Sequence, residues 1–251
     1  MTQKNQEVIK VYHVLEYCKP SLWIGGPLDH PYRIIESYRI QALQQAVKKM
    51  EGTLLDFGCG TKPYEPLLKS HFKKWFGIDL KDRTTGPESQ NRADTVWDGI
   101  TLPLEKNSFD VVLATQVLEH VENIENTLKE LARVLRPGGY FLITVPMTGV
   151  LHEEPWDFRR FTPYGLRNML EPLDIRLETS VALGGVITTI TTLISGHISF
   201  LRRIPVFGNL CSKIVMGILT QLGLWTEVIF FKVGYRQAKI TTDYLFILKK
   251  N

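Results

Sequence analysis

Leu54–Tyr64 reads LLDFGCGTKPY, an apolar run that ends in a Gly-Cys-Gly turn at Gly58, Cys59 and Gly60. Glycines directly after a strand let the backbone turn sharply and approach a ligand that any Cβ would push away. About twenty residues later, FGIDL (Phe76–Leu80) closes a second apolar run on Asp79. An acid at that spacing can accept hydrogen bonds from both ribose hydroxyls of an adenosine-bearing cofactor.

Outward from this loop, short apolar runs alternate with helical periodicity. Strands are expected at Thr53–Phe57, Trp75–Leu80, Asp94–Trp97, Asp110–Thr115 (DVVLAT) and Tyr140–Val145 (YFLITV). The unbroken apolar character of DVVLAT suits a parallel strand covered on both faces. Ile124–Arg136 carries Leu128, Leu131, Val134 and Leu135 on one side, and Arg136-Pro137-Gly138-Gly139 is read as its stop. Thr162-Pro163 is suited to open a helix to about Leu170, and Asp243–Lys249 (DYLFILK) is read as a last strand. Ahead of the loop, Val8, Val11, Val14 and Leu15 recur at helical spacing. Lys19-Pro20 and Gly25-Gly26-Pro27 break the pattern before a second helix from about Arg33 to Met50. The expected fold is α/β, a doubly wound Rossmann-like sheet of the mainly parallel kind.

A nicotinamide site is the obvious rival. Its fingerprint places a third glycine where a helix N-terminus receives a pyrophosphate. Here Pro63 fills that position, and Asp56 stands just before the first glycine. A carboxylate there repels a pyrophosphate and suits a cofactor with an ammonium and a sulfonium. The electrostatics favour S-adenosylmethionine (SAM).

LLDFGCG, FGIDL, WDGITLPLEKNSFDVVLATQVLEHV and LARVLRPGGYFLITVP together resemble the type 11 family of class I SAM-dependent methyltransferases, over about residues 50–148. The resemblance implies a seven-stranded sheet and SAM as cofactor. It implies that Gly58 and Gly60 flank the methionine end, that Asp79 holds the ribose, and that Asp98 reaches the adenine amino group. Thr115 and Gln116 would line the floor near the sulfonium. Asp56, Cys59, Leu80 and Gly99 complete the candidate cofactor set, the alternative for Asp98 being a turn residue before Gly99.

Ligands of open α/β sheets bind beyond the carboxyl ends of the strands. Related quinone-pathway O-methyltransferases carry Glu-x-x-Glu-His after the fourth strand and hold a divalent metal with it. This chain has Gln116-Val117-Leu118-Glu119-His120, and an amide is a poor replacement for a carboxylate toward a hard cation. No metal is expected, and Glu119 and His120 are assigned structural roles. Residues 152–166 follow the form HxxPxDxxRFTxxGL, which resembles a subgroup of bacterial relatives associated with sugars or cell-surface glycoconjugates. His152, Asp157 and Arg160 are the candidate catalytic residues. His152 would act as base and Arg160 would bind an anionic acceptor group, the structural alternative being an Asp157–Arg160 ion pair that fixes the loop.

Val181–Leu201 holds no Asp, Glu, Lys or Arg, and after Arg202-Arg203-Ile204-Pro205 a second apolar run reaches Phe231, broken by Lys213 and Glu227. Four readings fit: a buried lid, a dimer surface, an element on a bilayer whose anionic headgroups Arg202, Arg203 and Lys213 would meet, or a true membrane span. The expected organisation is an N-terminal helical cap (1–50), a cofactor-binding core (51–180), an apolar helical insertion (181–236) and a last core strand (237–251). The net charge of +4, without a long basic run, does not point to nucleic acid. Three scattered cysteines and a polar N-terminus favour a cytoplasmic protein, peripheral to the membrane if the insertion is lipid-facing. The partners expected are a small-molecule or lipid-linked acceptor (a sugar, a glycolipid intermediate or a lipid-like substrate) and, if the insertion pairs, a second copy. A scaffold that binds SAM without catalysis is the alternative.

Overall fold

The computed structural model describes residues 8–18, 33–81, 92–198, 208–234 and 239–251. The breaks expected at 19–20 and 25–27, and Arg202 and Arg203, lie outside these residues. The strands are β1 (Val11–His13), β2 (Thr53–Phe57), β3 (Lys74–Leu80), β4 (Thr95–Trp97), β5 (Phe109–Thr115), β6 (Leu135–Pro146), β7 (Ile175–Leu183) and β8 (Asp243–Lys250). The α-helices are α1 (Val14–Tyr17), α2 (Arg33–Ala46), α3 (Glu65–Leu68), α4 (Ile124–Val134), α5 (Pro163–Leu170), α6 (Val186–Ile198) and α7 (Gly208–Lys232). All eight strands form one sheet in the order β1-β7-β8-β6-β5-β2-β3-β4. Among the described residues only β8 runs antiparallel to its neighbours, between β6 and β7.

Alternation along the central strands sorts the core into two layers. Leu55, Phe57, Val112, Ala114, Phe141 and Ile143 pack on one face with Leu128 and Leu131 of α4. Leu54, Val111, Leu113 and Leu142 pack on the other with Tyr38, Ala42 and Leu43 of α2. Successive side chains of a strand point to opposite faces, so both faces need apolar cover, and the helices supply it. Local signals fix the helix ends. The Asn123 side chain accepts the Asn126 amide at the start of α4, and Thr162 accepts that of Gly165 at the start of α5, with Pro163 in the first turn.

Two expectations are corrected. The N-terminal segment is not a purely helical cap, because Val11–His13 pairs parallel to Ser180–Ala182 as an eighth, edge strand. The open edge of β7 presents unpaired backbone groups that a short strand satisfies, and this outweighs the helical spacing of the valines. The helix expected to reach Arg136 ends at Val134, and Arg136–Gly139 belongs to β6. There the pairing with β5 shifts register between Phe109 and Val111. Gly139 lies so close to the Asp110 carbonyl that an added Cβ would sit 2.8 Å from it, so the glycine accommodates a bulge rather than a helix stop.

The insertion is a helical hairpin. Its first residues, Val181–Leu183, belong to β7, and α6 and α7 follow. Leu183 pairs with Asp243, which also pairs with Pro146 at the end of β6, so the hairpin leaves the sheet at its carboxyl edge. Its polarity is inverted. Thr188, Thr191, Thr192, Ser195, Thr220 and Glu227 are buried, whereas Ile190, Ile194, Ile214, Ile218, Leu222, Trp225 and Ile229 are exposed. At the hairpin base the His13 Nδ1 accepts the Leu15 amide at 3.2 Å, which leaves Nε2–H to donate to Glu227 at 2.7 Å. The second oxygen of Glu227 accepts the Thr188 amide at 3.0 Å. One carboxylate thus joins β1, α6 and α7.

Candidate active site

The loop after β2 is built on its glycines. Gly58 (φ +68°) has no room for a side chain, since a Cβ would lie 2.3 Å from Val117. Gly60 (φ +49°) faces open space, with nothing within 4 Å of the place its Cβ would take. The Gly58 and Cys59 amides donate to the Ile78 carbonyl, and Gly60 donates to Asp79 Oδ2 at 2.8 Å. The loop is thereby folded against the end of β3.

Beyond it lies a cavity of about 610 Å³ at the carboxyl edge of β2, β3, β4 and β5. Gly58, Gly60, Asp79, Leu80, Asp98, Gly99 and Gln116 all line it. Asp98 also fixes the turn after β4, its Oδ1 accepting the Ile100 and Thr101 amides at 2.8 and 3.0 Å, which holds its carboxyl below the usual range. The turn reading and the lining position therefore hold together. Gln116 sits in the left-handed region (φ +52°) where β5 ends.

Three residues of the expected cofactor set do not line the cavity. Thr115 remains in β5, opposite Thr144. Cys59 is buried against Gly77, and burial pushes its thiol up to about 12. Asp56 is buried in β2, where it accepts the Trp75 Nε1–H at 3.1 Å. Burial pushes its carboxyl up to about 7, with the Trp75 hydrogen bond opposing. The charge on the wall comes from elsewhere: Asp79, Asp98, Glu122 and Glu153 line the cavity, and no Lys or Arg does so among the described residues. Such a wall suits a cofactor with an ammonium and a sulfonium and disfavours a pyrophosphate.

None of the three candidate catalytic residues lines the cavity. Arg160 binds both oxygens of Asp157 and also reaches the Val150 carbonyl, so its guanidinium is engaged within the loop. The same pairing pulls the Asp157 carboxyl down to about 2. Asp157 also accepts the His152 amide at 3.1 Å, and the His152 ring lies 3.3 Å from it. The loop's wall residues are Glu153, Trp156 and Phe158, and the segment after β5 adds His120, Val121, Glu122 and Asn123. Sequence reasoning gave His120 a structural role and did not single out the others. Their one signal is position, just past the carboxyl ends of β5 and β6.

At His120 of this wall, Glu119 and His152 converge from behind, with one potential ligand atom of each of the three within 4.8 Å of the others. The two imidazoles meet edge to face at 4.9 Å between centroids. Glu119 is buried, and burial pushes its carboxyl up to about 8.

Comparison with known proteins agrees with this geometry. Residues 55–143 match the family model described as a methyltransferase domain. Norajmaline N-methyltransferase of Rauvolfia serpentina is 29% identical over 48% of this chain and 45% of its own length. A probable S-adenosylmethionine-dependent methyltransferase of Mycolicibacterium smegmatis is 33% identical over 37% of each chain. The matched stretches thus span less than half of either relative. Among solved structures, the 4+2 cyclase SpnF superposes with a TM-score of 0.55 over 97% of this chain and 99% of its own, at 16% identity, a likeness of fold alone. Residues 55–143, about a third of the chain, are thus similar to a methyltransferase domain, and S-adenosylmethionine is the cofactor that goes with such a domain.

Proposed function

We propose that the protein is a SAM-dependent methyltransferase that works against a membrane surface and methylates a hydroxyl of a lipid-linked acceptor, with a sugar-bearing lipid as the favoured class. The observation that carries this reading is one of placement. The acidic, glycine-lined cavity and the apolar-outward hairpin leave the same edge of the sheet.

The residues at hand fit the cofactor. Gly60 leaves open the volume that a Cβ would fill, Asp79 and Asp98 place carboxylates on the wall, and the wall carries no described cation. When bound, SAM supplies an electrophilic methyl group on a sulfonium. The protein's part is positioning and exclusion of water, which accounts for a large share of the rate in a bimolecular displacement. Trp156 and Phe158 add apolar surface to the cavity wall, against which an acceptor can lie. His120 Nδ1 lies 2.9 Å from the Trp156 carbonyl, which can only accept, so Nδ1 carries the proton and Nε2 is left as the basic nitrogen.

Three features support the membrane part. Within Lys213–Lys232, α7 has the length and apolarity to cross a bilayer, about 30 Å at 1.5 Å per residue. The exposed stripe Ile214, Ile218, Leu222, Trp225 and Ile229 recurs every three or four residues, as one face of a helix requires. Lys213 and Lys232 stand at its two ends, and the only acid of the two helices, Glu227, is turned inward to His13. A helix pair with its hydroxyls inside and its isoleucines outside fits lipid better than water. We place the protein on the cytoplasmic face, peripheral, with the hairpin lying in the headgroup boundary. The 152–166 motif, similar to that of glycoconjugate-associated relatives, favours a saccharide headgroup.

The test is label transfer from methyl-tritiated SAM to a total lipid extract in the presence of the protein. Label in the organic phase that becomes water-soluble after mild acid cleavage of the headgroup supports the reading. Label only in water-soluble acceptors overturns the lipid assignment, and no transfer to either fraction overturns the activity.

A further inference from the structure

We propose that Glu119, His120 and His152 form a binding site for a divalent transition-metal ion on the acceptor side of the cofactor cavity. Three observations converge on it. One potential ligand atom from each residue lies within 4.8 Å of the other two, a spread that one ion can bridge with small side-chain rotations. Glu119 is fully buried, yet neither of its carboxylate oxygens meets a hydrogen-bonding partner from another described residue. A buried carboxylate left in that state is costly, and a cation is the kind of partner that relieves it.

The third observation concerns the imidazoles. His120 Nδ1 is committed to the Trp156 carbonyl at 2.9 Å, and His152 Nδ1 to the Val150 carbonyl at 3.3 Å. In each ring the other nitrogen is left with its lone pair available. A ligating histidine characteristically donates its second ring N–H to a carbonyl or carboxylate in this manner. The support continues outward. Asp157 lies 3.3 Å from His152 and is anchored by Arg160, and the Phe158 amide donates to the Glu119 carbonyl at 3.0 Å. The whole 152–160 loop is thus tied to the segment that carries the other two ligands.

Two imidazoles and one carboxylate form a donor set for zinc, cobalt, iron or manganese, in contrast to the all-oxygen sets of magnesium and calcium. Three protein ligands leave coordination positions open, and His120 itself lines the cavity. An acceptor hydroxyl entering there would meet the ion. The expectation of no metal counted ligands only within Gln116–His120, whereas the third comes from a loop beyond β6. The site's place on the acceptor side rests on the methyltransferase reading; the binding of the ion does not.

Purified full-length protein, stripped with a chelator, is titrated with Co²⁺ and separately with Zn²⁺ and Mg²⁺, and SAM binding is measured on the stripped protein by calorimetry. The expected result is one Co²⁺ or Zn²⁺ per chain, visible d–d bands for Co²⁺, and little response to Mg²⁺. Glu119→Gln and His152→Ala should each weaken Co²⁺ binding at least tenfold, and Asp157→Asn by about 10–100-fold through loss of support to His152. His152 is half-exposed on a loop, so its variant keeps the test valid if Glu119→Gln fails to fold. No Co²⁺ or Zn²⁺ binding, binding unchanged in His152→Ala, or a preference for Mg²⁺ overturns the proposal. If SAM still binds, the cofactor assignment survives that failure.

Discussion

The Gly60 amide donates to the Asp79 carboxylate at 2.8 Å, which ties the glycine turn to the end of the neighbouring strand. One interaction thus shapes the loop and sets an acid on the cavity wall. Because Gly60 sits at φ +49° and faces open space, Gly60→Val should cost about 1–2 kcal/mol of stability from the left-handed backbone. Its larger effect should be on the cofactor, whose volume the side chain invades. Thermal unfolding should show a shift of a few degrees, while calorimetry should show SAM binding lost.

Asp56 predicts a pH effect of definite sign. Its folded-state pKa of about 7 lies above the ordinary carboxylate value, so the folded protein holds this proton more tightly than the unfolded chain. The wild type should therefore lose stability as pH rises from about 4 through 7, by on the order of 2 kcal/mol relative to Asp56→Asn between pH 5 and 8. Unfolding midpoints of the two proteins at pH 5 and pH 8 measure it. A constant difference between them would contradict the burial argument.

His13 and Glu227 hold the hairpin to the sheet edge. His13→Ala leaves one oxygen of a buried carboxylate without its donor, and the loss expected is about 1.5–3 kcal/mol. Chemical denaturation reads the loss directly. Hydrogen exchange should show it first in α6 and α7.

The outward stripe of α7 predicts a surface phenotype without a folding one. Ile218 and Leu222 are 54% and 50% exposed, so Ile218→Glu with Leu222→Glu should leave the unfolding midpoint within about a degree of wild type. The same pair should abolish flotation with anionic liposomes, since each side chain withdrawn from lipid costs about 1.5–3 kcal/mol of partitioning. Flotation that survives both changes would remove the hairpin as the contact.

How much of this was legible in the sequence follows from the range of the forces involved. β2, β3, β5 and the cap at Thr162 announce themselves because apolar alternation, glycine turns and capping side chains act over a few residues. Val11–His13 does not, because a three-residue strand exists only through pairing with Ser180–Ala182, far along the chain. Asp56 was misplaced for a similar reason. Adjacency to Gly58 suggested the cavity, but its carboxylate accepts the Trp75 N–H inside the sheet layer. A catalytic role and an ion pair are both open to Arg160 and Asp157 from sequence, and only the fold shows both Asp157 oxygens engaged by one guanidinium. Apolarity of the hairpin was plain in composition, and its inversion became visible only once Glu227 and Thr188 were seen facing inward.

The cofactor assignment is tested most directly by titrating the protein with SAM and with NAD in parallel, for the wild type and for Asp79→Ala. The prediction is one SAM per wild-type chain, no measurable NAD binding, and SAM affinity weakened about 10–100-fold in the variant through loss of a charge-assisted contact. NAD binding without SAM binding, or SAM affinity indifferent to Asp79, would contradict the account.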